Sequence, residues 1–552
     1  MSDCPLVNTK LGKVKGQSLN KPSFGKSRVY LYTSIPFAKP PVGELRFEAP
    51  VKPDPWNGVL DGTKVSPNPV QSVNIFTELQ RKYRAIYDQP GYDMNNMSED
   101  CLYLSIYTSK PSEHGNLPVV FWIDGGGYCS FGFASQGTTN GNILCSAHDV
   151  ILVVANYRVG AFGFLTTGDG TSHPGNMGFL DQLAALEWTR DNIREFGGNP
   201  DNVTIIGQGT GAVSVGYHVI SPMSRGLFHK AVSMSGSANM TEIVRTTQST
   251  VLDMYKEELG VEEDDPDAIL QKLKKIPLET LKQVQEKLEQ TFIQFGPAVD
   301  GKFLPKHPSE LLNEGKLSPV PYLIGCVDSE TSGISSMAEL PDFVEGISEE
   351  VGRSIYNEYF MALFPNQFTE DDLNIIVESY VKKQCDGPTK WSQIYANLST
   401  GAFFIAPMVM LAKKYSGGGH PTYAYYMTQQ LKYNHDLAFG SKDTMKPEFC
   451  NCDHCDDIVF TFGIPLSEES LNIDAKFDEA EKSFSRAWMM YIVNFATNGD
   501  PNKGLKVSET WPRYDADGQK YLVAQMPLAS KSGLGAESCS VWEKYKTQMK
   551  RA

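Results

Sequence analysis

Short continuous apolar runs alternate along the chain with stretches in which apolar positions return every three or four residues. Leu117–Ile123 and residues 150–156 are runs of the first kind, as expected of strands covered by helices on both faces. Residues 176–193 are of the second kind, and their helical spacing stops at Gly197, Gly198, Asn199 and Pro200. Residues 202–214 begin as an apolar strand, break at Gly207 and resume as a small-residue helix. Further strands are predicted at 231–236, 321–327 and 423–428, and a long helix at 475–497. Strand, helix, strand, turn, helix predicts an α/β protein with a large, mostly parallel central sheet flanked by helices.

The flanking stretches fit around that middle. Residues 6–108 alternate short β-like runs with Pro and Gly turns, 242–290 turn charged and helical with a solvated acidic loop at 262–267, and 345–401 are helical. No Gly/Ser-rich or charge-dense linker divides the chain, so residues 1–552 are expected to form a single domain.

Charge then narrows the partners. A formal net charge of -15 repels nucleic acid and anionic membrane, which removes both classes. The uninterrupted apolar runs are strand-sized, so no transmembrane segment is expected. The start, Met1-Ser-Asp-Cys-Pro-Leu, lacks a basic segment followed by an apolar one. The protein is therefore expected to be cytoplasmic, or secreted if its natural start lies elsewhere. Cys450, Cys452, Cys455 and His454 crowd into one short loop instead of forming two separated ligand pairs, so free thiols are expected there, with no metal and no cofactor.

One turn carries the chemistry. Gly207-Gln-Gly-Thr-Gly211 has the outline of Gly-x-Ser-x-Gly, in which a strained strand-to-helix turn lifts a serine hydroxyl above a parallel sheet. Gly209 stands at the serine position and has no side chain to attack a carbonyl. Ser214, farther along the helix, cannot share the tip of the turn and reads as a packing residue.

Many separate segments agree, in order, with one family. Residues 36–47 (Pro-Phe-Ala-Lys-Pro-Pro-Val-Gly-Glu-Leu-Arg-Phe), 98–104 (Ser-Glu-Asp-Cys-Leu-Tyr-Leu), 156–164 (Asn-Tyr-Arg-Val-Gly-Ala-Phe-Gly-Phe), 196–200 (Phe-Gly-Gly-Asn-Pro) and 494–502 (Asn-Phe-Ala-Thr-Asn-Gly-Asp-Pro-Asn) all do so. On these the chain resembles the type-B carboxylesterases and cholinesterases, which implies the α/β-hydrolase fold. The resemblance places the serine, acid and histidine of the family's mechanism on Gly209, Glu330 and His454. It places the oxyanion donors on Gly126, Gly127 and Thr210, with Asp124 where the family has histidine. Asp124, Tyr128 and Gln208 are expected to face the pocket, with Trp122, Phe131 and Phe133 nearby.

The family's Gly-Glu-Ser-Ala-Gly departs here at three positions, Gln208, Gly209 and Thr210. Such a set implies a catalytically inactive relative, in the manner of the serine-less neuroligins. Its expected role is to bind a small apolar molecule or a protein partner, and the resemblance also implies a homodimer. A dehydratase, lyase or isomerase using His454, Glu330 and the glycine-loop amides stays open, as does an adhesion or scaffold protein. The family's disulfides lose partners, since Cys101 faces a position held by Pro69 and Cys539 one held by Ala406, which favours a reducing compartment.

Overall fold

The computed structural model describes residues 5–72, 96–130, 139–168, 171, 173–240, 249–289, 295–331, 342–363, 369–382, 386–431, 449–467, 477–536, 539–540 and 542. Among them an eleven-stranded sheet contains β1 (Gln17–Ser18), β2 (Tyr30–Pro36), β3 (Tyr103–Thr108), β4 (Leu117–Ile123), β5 (Ile151–Ala155), β6 (Gly198–Gln208), β7 (Lys230–Met234), β8 (Tyr322–Val327), β9 (Thr422–Met427), β10 (Lys520–Ala524) and β11 (Ala529–Ser532). Its order is β11-β10-β9-β8-β7-β6-β4-β5-β3-β2-β1. The run from β10 to β5 is parallel, and antiparallel strands close both edges. Because β5 and β6 lie on opposite sides of β4, the strand order reverses there. Open α/β sheets hold their ligands in the crevice outside the carboxyl ends of the strands at such a point.

Alternation along β4 sorts its side chains between two cores. Val119, Phe121 and Ile123 join one apolar cluster with α1 (Met177–Asn192) and α2 (Thr210–Ile220), through Phe179, Leu183, Val213 and Tyr217. Val120 and Trp122 join the other, with Phe460 and Trp488 from helices in the crossover between β9 and β10. Every residue of β4 is buried, which is why its sequence reads as continuously apolar rather than alternating. Each fully buried aliphatic or Phe side chain contributes about 1.5–3 kcal/mol, so the two clusters fix the sheet that carries the loops.

Local signals set the helix ends. The 3-10 turn after α1 stops at Gly197, whose φ of 90° is open to glycine at little cost. The long helix predicted at 475–497 spans Glu479–Asn498, opened by a reciprocal capping box of Asp478 and Glu481 and closed by Gly499 at φ 71°. The acidic stretch at 262–267 is more ordered than expected. Asp265 accepts from the Ala268 amide and Pro266 takes the first helical position, so part of the loop is a helix start.

Residues 390–417 form one helix interrupted by a π turn. α3 (Lys390–Thr400) passes through Gly401–Ile405 into α4 (Ala406–Gly417). A window of this helix has the length and mean hydropathy, 1.5, of a membrane span, but 78% of it is buried inside the protein, which makes it a core helix. Its longest uninterrupted apolar run, residues 401–412, is too short to cross a bilayer, and Asn397, Ser399 and Thr400 break the stretch before it.

Candidate active site

The strand feeding the central turn runs through Gly207 and ends at Gln208, two residues later than the sequence pattern suggests. Gly207 marks packing instead of a break: a Cβ there would lie 2.5 Å from the Gly211 backbone, so the small residues let strand and helix touch. The turn itself is Gly209, with φ 60° and ψ −128°, a conformation strained for any residue with a side chain. A Cβ on Gly209 would point at His454, 3.0 Å from Nε2.

His454 reaches that point because its loop is stitched to the end of β8. Asp328 accepts from the Cys452 amide (2.9 Å) and from the Asn451 amide side chain (2.8 Å), and the Ser329 amide donates to the Cys452 carbonyl (3.1 Å). Glu330 turns back beneath the strand, one oxygen accepting from the Val327 amide at 2.9 Å and the other meeting His454 Nδ1 at 2.5 Å. A carboxylate only accepts, so Nδ1 carries the proton and Nε2 presents a lone pair. That lone pair is taken. The Gln208 side-chain amide donates to Nε2 at 3.2 Å, and the Cys455 thiol donates to the Gln208 carbonyl at 3.2 Å.

The surrounding carboxylates raise the proton affinity of the histidine and keep the thiol neutral. Burial pulls the His454 pKa down, but the hydrogen bond and charge of Glu330, with Asp457 and Asp453 behind it, outweigh burial and leave it raised. Burial and the same carboxylates push the Cys455 thiol well above its usual range, so it stays a donor. Asp457, wholly buried, is raised to about 7 by burial first and then by the charge of Glu330. Its Oδ2 accepts from Tyr425 (3.1 Å), while its Oδ1 has no partner among the described residues.

The glycine loop crosses in front of the α2 N-terminus. Gly126 and Gly127 have φ of 91° and 67°, and the Gly127 amide donates to Thr210 Oγ1 at 2.9 Å. Asp124 is buried beneath the loop, accepting from the Trp122 indole at 2.6 Å, and the Tyr157 hydroxyl donates to its carbonyl at 2.8 Å. On the far side of the histidine, Phe404 of the π turn sets its ring centroid 5.4 Å from the imidazole.

Over nearly its whole length the chain matches one family model, the carboxylesterase family, across residues 3–542. The chain belongs to the carboxylesterase family. It is 35% identical over 549 residues to a pyrethroid hydrolase of Rattus norvegicus, covering 98% of this chain and 90% of that protein. It is 34% identical to an acylcarnitine hydrolase of Mus musculus over 546 residues, covering 98% and 91%. With a cocaine esterase of Homo sapiens it shares 32% over 547 residues, covering 98% and 92%. As in that family, the fold is that of an α/β-hydrolase.

The predicted residues converge with two qualifications. Gln208, Gly209, Thr210, Gly126, Gly127, Glu330 and His454 gather at one point. Tyr128, expected to face a pocket, instead lies 1% exposed in the core against Phe164 and Phe179, because its backbone turns inward at φ 62°. Asp124 is likewise turned inward onto Trp122. Phe131 and Phe133 lie outside the described residues. The sequence marks Cys455 only as one of a cluster of free thiols and Asp328 only as the start of the polar stretch after β8, while Asp457 and Phe404 go unnoticed. Asp457 lies close to His454 in the chain, which was the available signal; a π turn leaves none.

Proposed function

We propose that this carboxylesterase-family protein is not a serine hydrolase, and that it acts by binding a small apolar molecule or a protein partner on the inherited scaffold. Gly209 carries this reading. Where the resemblance puts a nucleophile there is no side chain, although Glu330 and His454 stand in the acid and base positions, 2.5 Å apart and aimed at it. Acyl-enzyme chemistry needs an oxygen that gives its proton to His454 Nε2 as it bonds to the carbonyl carbon. Without that oxygen, the pair is retained as a buried hydrogen bond whose loss would leave an unsatisfied polar group at a cost of about 1–3 kcal/mol.

The named relatives hydrolyse pyrethroids and acylcarnitines, which favours an apolar, acyl-like ligand. A lyase or isomerase using His454 as base is the second reading, and the Gln208 amide on Nε2 counts against it. The unpaired thiol of Cys101 supports a reducing compartment. The test is to treat purified protein with a serine-directed phosphonate while following hydrolysis of a short-chain aryl ester. Neither labelling nor turnover is expected, and stoichiometric labelling at one site with matching turnover would overturn the reading. Native mass spectrometry of protein from its source should then find a retained apolar molecule or a bound protein.

A further inference from the structure

We infer that the site is shut twice more, independently of the missing hydroxyl: Gln208 occupies the base and Thr210 occupies an oxyanion donor, so restoring serine at 209 does not by itself restore a hydrolase. The inference rests on the reading above and concerns two side chains that sit where substrate atoms would go. An acyl substrate asks two things of this place. His454 Nε2 must be free to accept the nucleophile's proton, and backbone N–H groups must be free to receive the carbonyl oxygen as it becomes negative.

Neither is free. Gln208 donates to Nε2 and is itself held by the Cys455 thiol, so it cannot leave without breaking a second hydrogen bond. Gln208 is 3% exposed, which leaves its amide no water to turn to. Thr210 Oγ1 takes the Gly127 amide from the ligand side, and a family alanine at 210 has no atom that could do so. A side chain at 209 is strained at φ 60° and ψ −128°, and its Cβ 3.0 Å from Nε2 needs a shift of a few tenths of an ångström, a cost to stability that leaves the geometry of attack in place. The block therefore lies in the neighbours' hydrogen bonds.

In a revertant, the introduced hydroxyl oxygen would bond to the ester carbonyl carbon while its proton passes to His454 Nε2. The ester's alkoxide then leaves with that proton, and water cleaves the acyl-enzyme by the same route, so atoms and charge balance without a cofactor. Each obstruction opposes a separate part of this step. Removing one oxyanion donor from a working hydrolase lowers the rate by about 10²–10³-fold, and an occupied donor is lost until its bond breaks.

The experiment compares four full-length proteins, G209S, G209S/T210A, G209S/T210S and G209S/Q208A/T210A, by phosphonate labelling rate and by kcat/KM on an aryl ester. Thermal melts confirm that each is folded. G209S and G209S/T210S, which both keep the hydroxyl on Gly127, should be slow and alike. G209S/T210A should be about tenfold faster or more, and the triple variant faster again by a similar factor. Equal rates for G209S and the triple variant, or no labelling in any folded variant, would overturn the inference. Failure of the functional proposal looks different, because there the unaltered protein is itself labelled.

Discussion

Asp457→Asn should remove a pH-dependent burden on stability. Asp457 is fully buried beside Glu330, one of its oxygens has no partner among the described residues, and its pKa is raised from 3.8 to about 7. A raised acid pKa means that the native state holds the proton more tightly than the unfolded chain. Well below pH 3.8 both states are protonated and the cost vanishes. As pH rises from 3.8 to about 7, the unfolded chain ionises first and the native state loses relative stability, the full cost being in place above about 7. At roughly 1.4 kcal/mol per pKa unit, the shift amounts to about 4 kcal/mol.

His454 adds a contribution of its own. Its raised pKa gives stability that is present on the acid side and lost as pH rises through the folded value, in both proteins, and Asp457 supplies part of that raise. The variant should match the parent near pH 4 and exceed it in urea unfolding free energy at pH 8 by less than about 4 kcal/mol. A difference that stays flat between these pH values, or a destabilisation that grows with pH, would refute the reasoning.

Gly209→Ala should destabilise the protein by about 1–3 kcal/mol, read by thermal unfolding, since it places a Cβ at φ 60° and 3.0 Å from His454 Nε2. Glu330→Gln removes the group that offsets burial at His454, so the imidazole should titrate at lower pH in an NMR titration; an unchanged midpoint would deny Glu330 that role. Arg158→Met breaks the bidentate pair with Asp181, both essentially buried. It should cost about 3–5 kcal/mol in chemical denaturation, much of it recovered by adding Asp181→Asn, which removes the uncompensated charge.

The central strands were legible because burial on both faces demands unbroken apolar runs, and Leu117–Ile123 appears in the structure with the bounds its sequence suggests. The Glu330–His454 pair was legible through resemblance, since residues so far apart in the chain share no local pattern. What stayed hidden were choices of direction. Tyr128 and Asp124 could face either side of the glycine loop, and only the backbone turn and the Trp122 indole send them inward. Gly207 was mistaken for a break because a glycine inside a strand looks the same whether it bends the chain or admits a neighbour. Gln208, Thr210 and Cys455 gave no sign of bonding to each other's surroundings, because hydrogen bonds between loops from distant segments have no periodicity.

The π turn at Gly401–Ile405 acts as a phase shift between two helices that serve different neighbours. α3 packs against the helices of residues 349–381, whereas α4 lies against β8 and β9. In a regular helix each residue turns about 100°, so deleting one residue within the turn would rotate one half against the other by about that angle. Phe404 would then swing away from the imidazole, or the α4 face would swing off the sheet. The length of this segment is therefore more tightly constrained than its composition: many substitutions keep the phase, but no single deletion does.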